Sequence, residues 1–391
     1  MYAREISSCL KKSLNHYPIL TLLGPRQSGK TTLVRNLFKD FSYHTLEDPD
    51  TRQIAQEDPR GFLKKLSHKA ILDEIQRVPI LTSYLQTIVD DPKNKSQFIL
   101  TGSNSLLLTD SITQSLAGRT ELYELPPLSL SEIVQKNNNP QLNDLLFYGG
   151  YPRIHQEKLD PTRWLKSYFQ LYVEKDIRQI TNISQIDLFE KFVKLTAGRV
   201  GQLINASSLA NEVGLSSPTI SQWITALKST FICFTLNPHF KNFNKRIVKT
   251  AKIYFYDTGL LCYLLGITSS DQLSIHPLRG QIFENFIISE SFKKKMNKGQ
   301  DTNFYFWRDQ KGHEIDLIED RSSYLFPVEI KLSQTFHPQF IKNIQYLNQL
   351  QEKDINLCQP KGQVIYGGEN ERFFKEVQII PWREYITQSR C

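Results

Sequence analysis

A three-layer α/β domain on a parallel sheet, followed by a helical segment and a second α/β domain, is the fold class this sequence predicts. Three observations carry it. Short apolar runs at 19–23, 69–73 and 97–101 read as buried strands, and stretches of helical spacing separate them. A glycine-punctuated loop at 24–29 joins the first strand to the next helix. The chain has 391 residues, longer than one usual core, so further domains are expected.

The elements follow in order. Ile6, Leu10 and Leu14 give 3–16 a helical spacing that leads into the first strand. Gly24, Pro25, Arg26, Gln27, Ser28, Gly29, Lys30, Thr31 and Thr32 then form a Gly-x-x-x-x-Gly-Lys-Thr loop. Two glycines let backbone N–H groups wrap a polyphosphate, Lys30 reaches the β/γ-phosphates, and the Thr31 hydroxyl takes a place on Mg²⁺. The helix that begins there adds its positive dipole end. This is the signature of a P-loop NTPase, and ATP with Mg²⁺ is the expected ligand pair.

Residues 41–45 read as a second strand, and 46–66 as helical, with Asp58-Pro59 starting a second helix. The run from Lys69 ends in two acids, Asp73 and Glu74. Asp73 is expected to hold Mg²⁺ through a water, and Glu74 to polarise the attacking water. The strand at 97–101 has a polar tip, where Ser103 or Asn104 would sense the γ-phosphate; the sequence does not choose between them. Arg119, at the start of a strand over 121–125, is a candidate arginine finger, in cis or into a neighbouring subunit. The first domain is expected to span 1–135, with a linker at 136–140 and a helical, lid-like segment to 190.

These motifs, with Leu116-Ala-Gly-Arg119, Gly149-Gly-Tyr-Pro152, Tyr172-Val-Glu-Lys-Asp-Ile177 and Tyr256-Asp-Thr-Gly-Leu260, resemble the bacterial and archaeal AAA-type ATPases that carry a C-terminal domain of unknown function. The resemblance implies ATP binding and hydrolysis, assembly into a homo-oligomer, and a winged-helix-like middle. It also implies a C-terminal region similar to restriction-endonuclease folds.

Residues 191–270 are expected to form the winged-helix-like domain. Stretch 208–227 has helix-turn-helix cadence, with Gly214 at the turn, Ser217 as helix cap and Pro218 at the first helical position. Ile220, Trp223, Ile224 and Leu227 would be buried; Thr219, Gln222, Thr225 and Lys228 would face outward. The insert Lys241–Arg246 with Lys249 and Lys252, interleaved with Phe240 and Phe243, suits phosphate contact.

Residues 271–391 are expected to form the endonuclease-like domain. Glu284 lies on a helix, Asp316 on a strand, and Glu329 and Lys331 two apart on the next strand, hence on one side of it. Asp316 and Glu329 would be Mg²⁺ ligands, Lys331 would orient water or steady the phosphorane charge, and Glu284 would be a further acid at this metal site. A cross-strand ion pair accounts for the same residues without cleavage.

Composition narrows the classes. Net charge is +8, which favours a polyanionic partner. Five scattered cysteines, none in Cys-x-x-Cys, argue against a disulfide framework or a zinc site. No run of eighteen apolar residues appears, so a cytoplasmic protein without membrane contact is expected. The leading expectation is an ATP-hydrolysing enzyme acting on DNA through its C-terminal half. The alternatives are a nucleotide-driven switch that binds a protein, and an ATP-licensed, metal-dependent nuclease.

Overall fold

The computed structural model describes residues 2–103, 115–136, 139–173, 186–239, 250–351 and 360–387. The first unit runs α1 (Ser7–Ser13), β1 (Ile19–Leu23), α2 (Lys30–Leu37), β2 (Ser42–Thr45), α3 (Pro49–Glu57), α4 (Pro59–Lys65), β3 (Lys69–Asp73), α5 (Leu81–Val89), β4 (Gln97–Gly102) and β5 (Thr120–Glu124). Its five strands are parallel, in the order β2-β3-β4-β1-β5.

Alternation along the strands builds the three layers. Leu20 and Leu22 of β1 pack with Leu10 of α1 and Leu33 of α2, while Ile19 and Leu23 join Phe62 of α4 and Leu85 of α5. Every β1 residue is therefore buried, as in a sheet covered on both faces. β4 lies between β1 and β3, so its carboxyl end falls between those of the other two.

The middle comprises α6 (Leu130–Val134), α7 (Leu142–Tyr148), α8 (Pro152–Glu157), α9 (Pro161–Tyr168), α10 (Ile186–Ala197), α11 (Ala206–Val213) and α12 (Ser217–Ser229). An antiparallel ribbon follows, β6 (Cys233–Leu236) with β7 (Lys252–Phe255), and then α13 (Thr258–Leu264) and α14 (Ser270–Ser274). The α11 to α12 turn is made by Gly214 in the left-handed region at φ 88°. Trp223 of α12 meets Phe189 and Phe192 of α10 edge to face, which packs these two helices together.

The expected cap is corrected by one residue. Ser216, not Ser217, accepts from the Thr219 N–H, and this puts Pro218 at the second helical position. Ile220, Trp223, Ile224 and Leu227 are buried as expected, and Gln222, Thr225 and Lys228 are exposed. A second correction concerns Lys252. It is buried and ion-paired to Glu314 at 2.5 Å, so it is no part of a solvent-facing basic insert. Residues 240–249 of that insert, including Lys241–Arg246 and Lys249, lie outside the described residues, as does most of Tyr172–Ile177.

The last unit is α15 (Arg279–Asn297), β8 (Phe304–Arg308), β9 (Glu314–Asp320), β10 (Leu325–Lys331), α16 (Lys342–Gln351), β11 (Gln363–Tyr366), β12 (Arg372–Phe374), β13 (Val377–Pro381) and α17 (Trp382–Thr387). Its mixed sheet runs β12-β13-β11-β10-β9-β8. Ile344 and Leu347 of α16 pack on one face, and the long α15 is buried along most of its length among other helices and the opposite face. Among the described residues no helix is long and apolar enough to cross a membrane.

Candidate functional site

Loop 24–29 leaves the carboxyl end of β1 at the centre of the first sheet. Gly24 has φ 150°, and a Cβ there would lie 2.3 Å from the Leu125 carbonyl oxygen, so only glycine fits. Gln27 and Gly29 also hold positive φ, curling the loop so that it hands over to α2 at Lys30. Gly29 at the N-cap has no side chain to cap α2, and among the described residues this suits the helix's first N–H groups to an anion. The buried Ser28 hydroxyl has no hydrogen-bond partner among the described residues. Pro25 is buried, Arg26 pairs with Glu47 at 3.4 Å, and Thr32 is exposed.

Lys30 is 5% exposed and donates to the carbonyls of Gly24 and Pro25, both at 2.9 Å. The Thr31 hydroxyl donates to the Asp73 carboxylate at 3.1 Å. Asp73 also accepts from Tyr43 at 2.7 Å and from Thr101. A hydroxyl beside a carboxylate is an all-oxygen donor pair suited to a hard cation such as Mg²⁺, so these residues fit that ion. Glu74 is a non-glycine residue at φ 57°, a strained conformation that turns it away from the strand. Its carboxylate accepts from Ser103 at 3.1 Å and from Gln76. Ser103 therefore touches Glu74, while Asn104 lies outside the described residues.

Arg119 is corrected as a finger in cis. β1 and β5 run parallel with Ile19 opposite Thr120, so Arg119 sits at the amino end of the sheet, a strand length of about 16 Å from the loop. There it forms a two-bond pair with Asp90 at 2.6 and 2.8 Å.

Several residues around the loop went unread in the sequence. Arg4 donates to the Ser28 carbonyl at 2.8 Å, to the Pro126 carbonyl at 2.6 Å and to Glu132 at 3.0 Å. Glu132 closes a capping box with Ser129 at the start of α6, a Ser-x-x-Glu signal visible in the sequence. Asp257 accepts from the Gly150 N–H at 2.6 Å and the Leu260 N–H at 2.8 Å, pinning the Gly149-Gly150-Tyr151 turn to the start of α13. Pro152, the next residue, reaches 4.0 Å from where a Gly29 Cβ would stand. On α15, Glu290 accepts from the Leu130 N–H at 2.7 Å, and Lys293 donates to the Leu128 carbonyl at 3.1 Å.

The C-terminal constellation also meets, in a different form from the one expected. Lys331 bridges Asp316 at 3.0 Å and Glu329 at 2.6 Å, and Lys252 stands between Glu314 and Glu284, at 2.5 and 3.8 Å. Tyr254 donates to Glu284 at 2.6 Å. Burial and the nearby Asp316 push the Glu284 carboxyl up to about 7. Burial, again with Asp316, raises Glu329 well above the ordinary range. Burial alone would raise Asp316 too, but Lys331 and Lys252 outweigh it and hold this carboxyl low. Among the described residues no three His, Cys, Asp or Glu side chains are placed to hold one metal ion, and the two lysines take up the carboxylates instead. Asp316, Glu329 and Lys331 thus come together as their order in the sequence predicts, with Glu284 beside Lys252, in an ion-paired network.

Residues 16–134 match an AAA domain. Residues 139–271 and 279–385 match two domains of unknown function, DUF8612 and DUF4143. Uncharacterized protein Rv2008c of Mycobacterium tuberculosis is 32% identical over 337 residues, covering 85% of this chain and 74% of its own. Uncharacterized protein MJ1544 of Methanocaldococcus jannaschii is 24% identical over 390 residues, covering 91% and 84%. Among solved structures, the Walker-type ATPase PABY2304 of Pyrococcus abyssi is similar at TM-score 0.45 and 16% identity, covering 68% of this chain and 96% of that one. The Thermotoga maritima RuvB Holliday junction branch migration motor is similar at 0.31 and 17%, covering 60% and 89%. With a P-loop on a parallel sheet, an AAA-domain match and a relative of this identity over most of its length, the chain belongs to the family of AAA-domain P-loop ATPases that includes Rv2008c.

Proposed function

We propose that the protein binds ATP and hydrolyses it with Mg²⁺, and that its C-terminal half acts on DNA under control of that cycle. The observation that carries the reading is the bond from Thr31, next to Lys30 after β1, to Asp73, next to Glu74 at the carboxyl end of β3, across the intervening strand β4. Lys30 would release the loop carbonyls and neutralise the β/γ-phosphates, with the α2 N-terminus behind it. Thr31 and Asp73 would hold magnesium, which would supply charge neutralisation on the phosphates. Glu74, oriented by Ser103 and Gln76, would polarise the attacking water.

On this reading the ATPase unit occupies 1–135, the lid-like segment 136–190, the helix-turn-helix unit 191–270 and the mixed-sheet unit 271–391. Arg119 would serve as a finger only across a homo-oligomer, a ring for example, because its own loop lies at the far end of the sheet. DNA action is supported by the net charge of +8 and by the outward Gln222, Thr225 and Lys228 of α12.

The test is steady-state ATP hydrolysis at low salt with duplex, single-stranded and branched DNA, comparing wild type with Lys30→Ala and Glu74→Gln. Turnover is expected to be stimulated by one DNA form and abolished in both variants, with Glu74→Gln still binding ATP. Turnover indifferent to every DNA would refute the DNA reading; turnover that survives in Glu74→Gln would refute the role of that residue.

A further inference from the structure

The outward face of α12 carries a single cation, Lys228, beside neutral polar side chains. The cations collect elsewhere. Lys294 and Lys295 in the last turn of α15, Lys298 just past it, and Arg321 after β9 line a groove of about 520 Å³ over the mixed sheet. Glu319 is the one acid among the described residues of that lining, and two cations already share it: Lys295 at 2.9 Å and Arg321 at 2.8 Å. The carbonyl end of α15 favours Lys294 and Lys295, but Lys298 and Arg321 lie outside the helix. Burial, and then repulsion from Lys298, hold the Lys294 ammonium below its ordinary pKa. With Glu5, from the stretch before α1, also near Lys294, four cations against two carboxylates leave a net positive field that an anion would relieve.

The groove also offers stacking surfaces. Arg321 lies 3.9 Å over the Phe326 ring, so its guanidinium is held flat before any ligand arrives. At the opposite rim Phe373 of the edge strand β12 is 60% exposed. Duplex backbone would use the cations and leave an aromatic idle; an unpaired strand uses both, with phosphates on the cations and bases on the ring.

We propose that this groove binds single-stranded nucleic acid, with phosphates on Lys294, Lys298 and Arg321 and a base stacked on Phe373. The inference rests on the reading that the C-terminal half acts on DNA, and it moves the principal contact from α12 to the mixed-sheet domain.

The experiment is fluorescence anisotropy of a labelled oligothymidylate of about 20 nucleotides with the full chain, from 50 to 200 mM salt. It compares wild type, the triple variant Lys294→Gln/Lys298→Gln/Arg321→Gln, Phe373→Ala, and an α12 variant, Gln222→Ala/Lys228→Ala. Removing three phosphate contacts should flatten the slope of log affinity against log salt by about 2. Phe373→Ala should weaken binding about tenfold with the slope kept. The α12 variant should stay within about twofold of wild type, and basal ATP turnover should be unchanged in all.

Binding unaffected by the groove variants but lost in the α12 variant would overturn the groove and leave the DNA reading standing. So would wild type that binds duplex and no single strand. Displacement of the oligonucleotide by an equal concentration of mononucleotide would make this a site for small nucleotides and overturn the polymer assignment. Wild type that binds neither duplex nor single strand would overturn the groove and the DNA reading together.

Discussion

Asp257→Ala is expected to damage stability and nucleotide binding together. The carboxylate is 1% exposed and accepts two short bonds from backbone N–H groups, Gly150 at 2.6 Å and Leu260 at 2.8 Å. The second bond is the cap of α13, for which loss typically costs about 1 kcal/mol. The first leaves the Gly150 N–H without its partner in a buried turn, a further 1–3 kcal/mol or so. The sum is about 3 kcal/mol, or on the order of 6–12 °C in Tm for a unit of this size. Because that turn leads directly into Pro152 beside Gly29, ATP affinity should fall as well. Asp257→Asn keeps an acceptor and a good capping residue, and should lose less than half as much. Thermal unfolding with and without ATP, plus a nucleotide titration, gives both quantities. A loss below about 1 kcal/mol in Asp257→Ala would refute the pinning argument, and a full loss of stability with unchanged ATP affinity would refute the link from turn to loop.

Three further outcomes are expected. Gly24→Ala should abolish ATP binding and cost at least about 2 kcal/mol, since its Cβ would collide with the Leu125 carbonyl at positive φ; urea unfolding and a nucleotide titration check it. Arg4→Met should cost about 3–5 kcal/mol in the same assay by stranding the fully buried Glu132. Glu284 sets a pH dependence. Its folded pKa of about 7 lies above the ordinary 4.5, so the folded state holds the proton more tightly. That stabilisation is complete below the unfolded value and is lost as pH rises through about 7. Stability should therefore decline from pH 5 to 8, and Glu284→Gln should flatten the decline.

What the sequence disclosed was local. The loop at 24–32, the acids at 73 and 74 and the helix-turn-helix cadence are contiguous, and their chemistry is written in spacing alone. Arg4 with Glu132 and Glu290 with Leu130 are 128 and 160 residues apart, and no periodicity announces such pairs. Ser129 and Glu132 did carry a visible capping signal. Lys252 misled because a basic neighbourhood suggested solvent, whereas one position on a two-stranded ribbon pointed inward to Glu314. Arg119 misled for a related reason: the sequence shows that it precedes a strand, but only parallel pairing shows which end of the sheet that is. Glu284, Asp316, Glu329 and Lys331 were legible as a group, yet no spacing announced that a second lysine, Lys252, would reach them.

α15 has a consequence for inheritance. The same helix carries Glu284 in the ion-paired network and, about 13 Å along its axis, Lys293 against the segment that follows β5 of the AAA domain. A recombination that exchanged residues 279–391 for those of a distant homologue would leave Leu128 and Leu130 facing groups chosen for another partner. The ATP-binding unit and the C-terminal sheet are thus poor candidates for shuffling as separate modules, and compensating substitutions should accumulate in pairs across that contact.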